Sequence, residues 1–194
     1  MSVKIHETSV IFGMENITFC GWNVRFDALS MLSAGKKGME IGDFVHIGVG
    51  SHVFGHSSRI VFGKGSGVSA SVNVFGASDN YTSGHLTGPC VPSKFRDVKK
   101  GDVIFEDFAI VGCGSTILPG VTLGRGCAVG ANTLVRKSVP PYAVVFGPRQ
   151  EIVAYRNEVL LERLARELDD WCLSLDAFSC ELEGNYRRQF HASA

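Results

Sequence analysis

Residues 103–145 read VIFEDFAIVGCGSTILPGVTLGRGCAVGANTLVRKSVPPYAVV, and this stretch decides the fold. A period of six fits neither an α-helix nor a simple alternating strand, but it suits a short strand followed by a tight corner. Three such hexads per coil predict a triangular prism of stacked coils, with apolar columns inside and small residues at the corners. The apolar residue at every sixth position is Phe105, Val111, Ile117, Leu123, Val129 and Val135. The small or β-branched residue four positions later is Ala109, Ser115, Val121, Cys127 and Thr133.

The amino-terminal half carries the same pattern with interruptions. After Val53 the six-residue frame shifts by three residues and continues at Phe62. We therefore expect a bulge or an extra corner between His56 and Arg59. The apolar residues before the shift are Ile11, Ile17, Leu29, Ile41, Ile47 and Val53.

Two segments lack the repeat. Residues 76–102 are rich in glycine, proline, serine and charge, which predicts a loop extruded from the prism. Residues 151–194 have apolar side chains at three- and four-residue steps from Ile152 to Trp171, which predicts an amphipathic helix, and little pattern after Cys180. The sequence thus predicts an all-β domain over residues 1–150 with a carboxy-terminal helical appendage over 151–194.

The composition indicates which partners and which cellular compartment to expect. Lysine plus arginine and aspartate plus glutamate both number 19, so no excess basic charge favours a nucleic-acid partner. No apolar run is long enough for a membrane span and no signal peptide is recognisable, so we expect a soluble, cytoplasmic protein. The six cysteines form no CxxC pair and are expected to be reduced thiols.

Several stretches resemble a known family. ILPGVTLG (117–124) and AVGANTLVRKSVPPYAVVFG (128–147) resemble the end of the left-handed parallel β-helix of hexapeptide-repeat acyltransferases. SDNYTSGHLTGPCVPSKF (78–95) resembles a loop of sugar O-acetyltransferases from surface-polysaccharide gene clusters. The resemblance implies a homotrimer that binds acetyl-CoA as co-substrate between subunits and acetylates a hydroxyl of a small, sugar-like acceptor. The alternative acceptor is a nucleotide-linked amino sugar, acetylated on nitrogen.

The resemblance also implies which residues contact CoA. Glycine and alanine at corners let the pantetheine arm approach the backbone, and cationic side chains pair with phosphates. For Arg136 and Lys137 the alternative is a pair of solvated charges at the edge of a coil. The implied contacts are Gly112, Cys113 and Ala131 for the pantetheine arm and Arg136, Lys137 and Arg149 for the nucleotide end.

Acetyl transfer to a hydroxyl needs a base, and histidine has the side-chain pKa closest to working pH. We expect His85, in the extruded loop, to be this base, with Asp79 orienting its ring. Asp79 itself occupies the position where many family members carry the catalytic histidine, so it is the second candidate. His56, at the frame shift, is the third. His46 and His52 fall on different faces of a triangular prism and are interpreted as external packing or hydrogen-bonding residues.

Two other functions share parts of this pattern. A γ-class carbonic anhydrase has the same architecture but needs three histidines around a metal, and its metal-binding pattern is absent from the loop; we expect no metal. A non-catalytic β-helix scaffold explains the repeat and the helix. It does not explain a long polar loop that carries His85 and Asp79.

Overall fold

The computed structural model describes residues 2–176, so the tail after Cys180 and His191 lie outside the described residues. The chain divides into two compact units, Met1–Arg156 and Asn157–Ala194. The first unit is a left-handed parallel β-helix, which confirms the predicted fold class. In the second unit the described part is a single helix, Glu158–Asp176. No helix within residues 2–176 is both long enough and apolar enough to cross a membrane.

Three sheets form the sides of the prism, and each coil contributes one strand to each sheet in turn. The first sheet contains Val3–Ile5, Val24–Phe26, His46–Ile47, Gly67–Val68, Ile110–Val111, Ala128–Val129 and Ala143–Phe146, all parallel, and Glu151–Tyr155, which is antiparallel. The second sheet contains Val10–Phe12, Met31–Ser33, His52–Phe54, Asn73–Phe75, Thr116–Ile117 and Leu134–Val135. The third sheet contains Ile17–Phe19, Met39–Ile41, Ile60–Phe62, Val103–Phe105 and Thr122–Leu123.

The remaining elements are short and lie outside the three sheets. Ala77–Asp79 and Val98–Lys100 pair as an antiparallel ribbon. Met14–Asn16 and Ser93–Phe95 are single 3₁₀ turns. In each coil the first corner joins the first sheet to the second, the second corner joins the second to the third, and the third corner joins the third to the first.

The core is a set of apolar columns, because strands in register place the same inward position of each coil above the last. Phe62 and Phe105 stack in one column with ring centroids 4.4 Å apart. Burial of each such side chain contributes about 1.5–3 kcal/mol, so the stacked columns are the main stabilising feature of the prism. The inward residues with at most 3% of their surface exposed include Phe26, Ile47, Val68, Val111, Val129, Leu32, Val53, Val74, Ile117, Val135, Ile41, Phe62, Phe105 and Leu123.

The small residues expected at corners satisfy buried backbone groups. The Ser115 hydroxyl donates to the Gly130 carbonyl oxygen at 2.9 Å and accepts the Thr133 amide at 3.1 Å. Ser51 does the same at the first corner two coils earlier, where it donates to the Ser69 carbonyl oxygen at 2.7 Å and accepts the Val72 amide at 3.1 Å. A hydroxyl at this position pairs groups that an aliphatic side chain would leave unsatisfied, which costs about 1–3 kcal/mol per group.

The frame shift near His56 is confirmed, and it recurs. Strand partners in the amino-terminal half lie 21 residues apart, as in Met31↔His52, whereas partners in the later coils lie 18 apart, as in Thr116↔Leu134. The three extra residues fall at the second corner of the second and third coils, between Leu32 and Ile41 and between Val53 and Phe62. The single frame drawn through the amino-terminal half was therefore wrong at Leu29, which is 64% exposed at a first corner while Phe26 and Leu32 point inward.

The predicted helix was wrong at its start. Ile152 and Tyr155 lie in the strand Glu151–Tyr155, which pairs with Ala143–Phe146. The open edge of that last parallel strand supplies hydrogen-bond partners that the apolar spacing cannot reveal. The helix begins only after Asn157, whose Oδ1 accepts the Leu160 amide at 2.9 Å as an N-cap. The first unit thus ends at Arg156 rather than at the expected boundary after residue 150.

Close stacking of the second corners makes Gly35 sensitive to substitution. A β-carbon at Gly35 would overlap the backbone carbonyl group of His56, which cannot move without breaking the coil. Gly35→Ala is expected to lower the free energy of unfolding by about 2–4 kcal/mol, measured by denaturant titration.

The matched control is Gly84→Ala, in the extruded loop. A β-carbon there meets nothing within 4 Å, and only the positive φ of 77° is strained. That strain costs about 1–2 kcal/mol at most. Equal losses in the two variants would contradict the stacking explanation.

Candidate active site

The extruded loop leaves the prism at the second corner of the fourth coil, where the second and third coils carry their three extra residues. Its two ends are pinned by close glycine contacts. Gly76 packs on the backbone of Gly55 in the coil before, and a β-carbon at Gly101 would lie 2.5 Å from the Gly120 backbone in the coil after. The ribbon of Ala77–Asp79 and Val98–Lys100 continues outward from this base. Such close contacts hold the loop at a defined position on the prism.

Asp79 is the central polar group of the loop. Its carboxylate accepts the Gly88 amide at 2.8 Å and two guanidinium bonds from Arg96, at 2.7 and 3.2 Å. The side chains of Asp79 and Arg96 are only 11% and 16% exposed. The Gly88 amide and then the Arg96 guanidinium hold the pKa of Asp79 below its usual value, because each favours the charged carboxylate.

A second pair braces the same ribbon. Asn80 donates its side-chain amide to the Asp97 carboxylate at 2.6 Å, and its backbone amide bonds the Asp97 carbonyl at 2.8 Å. Further out, the Leu86 amide donates to the Phe95 carbonyl at 3.1 Å. The loop is thus cross-linked from base to tip by hydrogen bonds between its outgoing and returning halves. Sequence reasoning missed Arg96, because nothing in the sequence signals which basic residue returns opposite Asp79.

His85 lies near the exposed tip of this loop. Its ring Nδ1 is 3.1 Å from the Ser83 hydroxyl. The His85 ring does not donate the expected hydrogen bond to the Asp79 carboxylate, which instead accepts hydrogen bonds from Gly88 and Arg96. The Ser83 hydroxyl, rather than the Asp79 carboxylate, is the group that contacts Nδ1 of the His85 ring.

His56 lies at the second corner of the third coil, one coil before the loop base. It adopts a positive φ of 53°, is exposed, and its Nδ1 is 3.3 Å from the Ser57 hydroxyl. Its ring makes no hydrogen bond to His85 or Asp79 in the described part of the chain. The structure therefore places two of the three candidate bases on one loop and the third beneath that loop.

His46 and His52 lie on different sheets, as expected. His46 has its Nε2 2.7 Å from the Asp27 carboxylate, which also pairs with Arg25 at 3.0 Å. His52 bonds Asn73 at 3.2 Å and stacks on a phenylalanine of its own strand. Across residues 2–176, no three His, Cys, Asp or Glu side chains converge as metal ligands.

The implied pantetheine contacts lie together at the first corner. Gly112 is required there, because a β-carbon would come within 2.6 Å of the Ala131 backbone nitrogen. Cys113 and Ala131 are exposed on consecutive coils, joined by the Asn132 amide, which donates to the Cys113 carbonyl at 2.9 Å. The amides of Cys113 and Ala131 have no hydrogen-bond acceptor within residues 2–176. An extended amide-bearing arm can pair with such a row of outward amides.

The implied phosphate contacts lie after the last strand of the second sheet. The Gln150 side chain accepts the backbone amides of Arg136 and Lys137 at 2.9 and 3.0 Å. This clamp fixes the backbone, while the side chains of Arg136, Lys137 and Arg149 extend from exposed positions. Gln150 escaped sequence reasoning, since its role depends on a positive φ of 56° that turns the chain back toward the coil.

Comparisons with known proteins point to one class of enzyme. The chain is 32% identical over 161 residues to a dTDP-4-amino-4,6-dideoxy-D-glucose acyltransferase of Escherichia coli, covering 83% of each protein. It is 29% identical to the putative lipopolysaccharide biosynthesis O-acetyl transferase WbbJ of Escherichia coli K12, covering 80% of this chain and 77% of WbbJ. No family model matches the sequence.

A solved structure agrees with these relatives. The N-acyltransferase AntD from Bacillus cereus, in complex with dTDP-4-amino-4,6-dideoxyglucose and coenzyme A, superposes with a TM-score of 0.80. It is 28% identical and the match covers 86% of this chain and 87% of AntD. Matching AntD structures include variants at a serine and at an aspartate.

The braced loop generates a prediction about Asp79. If its carboxylate serves to hold the loop, Asp79→Asn and Arg96→Met should both speed trypsin cleavage after Lys94, which is exposed in the loop. Because the Asp79 pKa is lowered in the folded state, the stabilisation is present above the ordinary carboxyl pKa and is lost as pH falls through the lowered value. Wild-type loop opening, followed by hydrogen exchange, should therefore increase at strongly acidic pH.

His85→Ala is the control for this prediction, because His85 bonds only Ser83 on its own side of the loop. It should leave the cleavage rate unchanged. Cleavage that is unaffected by Arg96→Met would contradict the bracing role.

Proposed function

The chain belongs to the hexapeptide-repeat acyltransferases, and from this premise we propose that it transfers an acetyl group from acetyl-CoA to the amino group of a nucleotide-linked sugar. The observation that carries the proposal is the match across most of both chains to an acyltransferase of a dTDP-linked amino sugar. We also propose a cytoplasmic location, as the sequence suggested.

The loop geometry supports an amine acceptor. A neutral amine is itself a nucleophile, whereas a hydroxyl needs its proton removed during attack. In this loop the carboxylate of Asp79 is engaged by Arg96, so no acid orients His85 as in a histidine–aspartate pair. In the proposed reaction the amine attacks the thioester carbonyl, a C–N bond forms, the C–S bond breaks and CoA leaves as the thiolate. His85 accepts the proton that the amine sheds.

The cofactor is assigned to the first corner and the end of the second sheet. The outward amides of Cys113 and Ala131 support binding of the pantetheine arm, and Gly112 lets the two coils that carry them stack closely. Arg136, Lys137 and Arg149 are the proposed partners of the CoA phosphates. We also propose a homotrimer, since in the family that this chain belongs to the groove is completed by a second subunit; a monomer with full activity would contradict it.

Transfer to a sugar hydroxyl is the second candidate, and the similarity to WbbJ favours it. An acceptor screen separates the two. Acetyl-CoA would be supplied with nucleotide-linked 4-amino sugars and with matched sugars that carry a hydroxyl at the same carbon, and release of free CoA thiol would be measured. Acylation of the amino sugars alone supports the first candidate. Activity on neither series would contradict both.

Removal of the proposed phosphate contacts should weaken the binding of acetyl-CoA and leave the binding of the acceptor unchanged. Replacing Arg136 and Lys137 together with alanine is expected to raise the KM for acetyl-CoA by about ten- to hundredfold, with the acceptor KM unchanged, because two charge-assisted contacts are lost. Steady-state kinetics measure both constants. Lys64→Ala, which removes a cation at a third corner, is the control, and an unchanged cofactor KM in the double variant would make Arg136 and Lys137 solvated charges.

The base is tested by comparing variants of the loop. His85→Ala is expected to lower kcat by about 10²- to 10⁴-fold with an unchanged KM for acetyl-CoA, the usual effect of losing a positioned base. Arg96→Met and Asp79→Asn should then show equal and milder losses, because both loosen the same ion pair. If kcat falls far more in Asp79→Asn than in Arg96→Met, the base is Asp79. If kcat falls only in His56→Ala, the base is His56 at the second corner of the third coil.

A further inference from the structure

A cleft runs along the second corner, beside the base of the extruded loop, and the residues already discussed do not explain it. It spans four consecutive coils, because each contributes one corner to its wall. The lining residues used below are Lys37 from the second coil, Ser57 from the third, Lys100, Gly101 and Asp102 from the returning end of the loop, and Gly120 from the fifth coil.

The cleft has an excess of positive charge. The Asp102 carboxylate oxygen accepts both the Arg59 backbone amide at 2.9 Å and the Lys37 ammonium at 3.2 Å. The Arg59 amide, and to a smaller extent Lys37, lower the pKa of Asp102, so that it is a carboxylate at neutral pH. The neighbouring Arg59 side chain is already paired with Glu40 through two bonds of 2.7 and 2.8 Å.

Lys100 supplies a second ammonium group without a carboxylate. Within residues 2–176 the ammonium group of Lys100 has no hydrogen bond or ion pair, although Lys37 and Asp102 line the same cleft. The chain as a whole carries equal numbers of acidic and basic residues, so this excess is local. Two ammonium groups facing one carboxylate attract an anion, and the Ser57 hydroxyl adds a neutral donor at the same wall.

The shape of the cleft suits an anion that approaches the backbone. Gly101 packs on the Gly120 backbone of the next coil, where its β-carbon would lie 2.5 Å away. A β-carbon at Gly120 would have only the Gly101 Cα within 4 Å, so the wall is open at Gly120. No side chain from either glycine obstructs the wall. Lysine binds phosphate oxygens as a point charge, and two lysines from different coils can engage two linked phosphates better than one.

We propose that this cleft binds the diphosphate of the nucleotide-linked acceptor through Lys37 and Lys100. The inference rests on the proposed function and adds to it the residues that recognise the acceptor's charge. CoA also carries a diphosphate, but its proposed contacts, Arg136 and Lys137, lie two coils beyond the loop base, about 10 Å further along the same edge. One edge of the prism thus holds two anion sites, with the acceptor's site beside the loop that carries His85.

The test uses titration calorimetry to ask whether two pairs of substitutions weaken the binding of two different ligands. The probes are dTDP, UDP, inorganic pyrophosphate and CoA. Lys37→Ala with Lys100→Ala is expected to weaken binding of the diphosphate probes by about ten- to hundredfold and to leave CoA affinity unchanged, because two charge-assisted contacts to the phosphates are lost. Arg136→Ala with Lys137→Ala should weaken CoA binding and leave the affinity for the diphosphate probes unchanged.

Lys99→Ala is the matched control, since neighbouring residues of a strand point to opposite faces and Lys99 does not line the cleft. It removes the same charge one residue away and should change affinity by less than about twofold at physiological salt. Lys100→Ala alone provides a second test that leaves the Lys37–Asp102 pair intact, and thermal melting verifies folding of each variant.

Three results would overturn the proposal: no binding of any diphosphate probe to the wild-type protein at millimolar concentration, an equal loss in Lys99→Ala, or a loss of CoA rather than nucleotide affinity in the cleft variants. The last would assign the cleft to the cofactor. The proposed reaction fails separately. If the cleft variants lose only diphosphate affinity and the Arg136 and Lys137 variant loses only CoA affinity, but no nucleotide-linked sugar is acylated, then the binding site is supported and the proposed reaction is contradicted.

Discussion

The stacking of each coil on the next through parallel backbone hydrogen bonds is the constraint on which the rest of this protein depends. It fixes the distance between coils, so side chains at equivalent positions must fit one above another in every column. Inward positions therefore accept only close-packing apolar residues, and corners accept only residues that leave room for the next corner. Gly35 beneath His56 and Gly112 beside Ala131 are direct consequences, because in both cases a β-carbon would meet backbone of the adjacent coil.

The same constraint explains where the loop is. An insertion into a strand would break the ladder on both sides, whereas an insertion at a corner leaves the register intact. The second corner already carries three extra residues in the second and third coils, and the fourth coil extends that corner into residues 76–102. The polar residues of the loop and the lysines of neighbouring second corners thus come to lie along one edge of the prism. Residues far apart in sequence, such as Lys37 and Lys100, share a cleft for this reason alone.

Within the loop, the most buried charged groups stabilise its conformation. Asp79 and Arg96 are mostly buried and satisfy one another, and the Gly88 amide completes the carboxylate's hydrogen bonds. A buried ion pair of this kind contributes little net stability, but losing one partner leaves an uncompensated charge. This explains why a loop rich in glycine and proline has a defined conformation, and why His85 is left exposed with only a hydroxyl beside it. An amine acceptor makes fewer demands on such a histidine than a hydroxyl does.

The six-residue period is a local property that each strand and corner must obey, so the sequence alone predicted the prism, its inward columns in residues 103–135 and the loop at 76–102 where the period is absent. The resemblance of its motifs indicated the family of enzymes. The sequence misjudged Leu29 and the strand at 151–155, where a frame or an apolar spacing has more than one solution and the neighbouring coil selects between them. Only the tertiary structure decided that Arg96 rather than His85 pairs with Asp79, that Gln150 clamps Arg136 and Lys137, and that Lys37 lies beside Lys100. These contacts join residues from different coils or opposite halves of a loop, and their proximity arises from backbone stacking that no local pattern encodes.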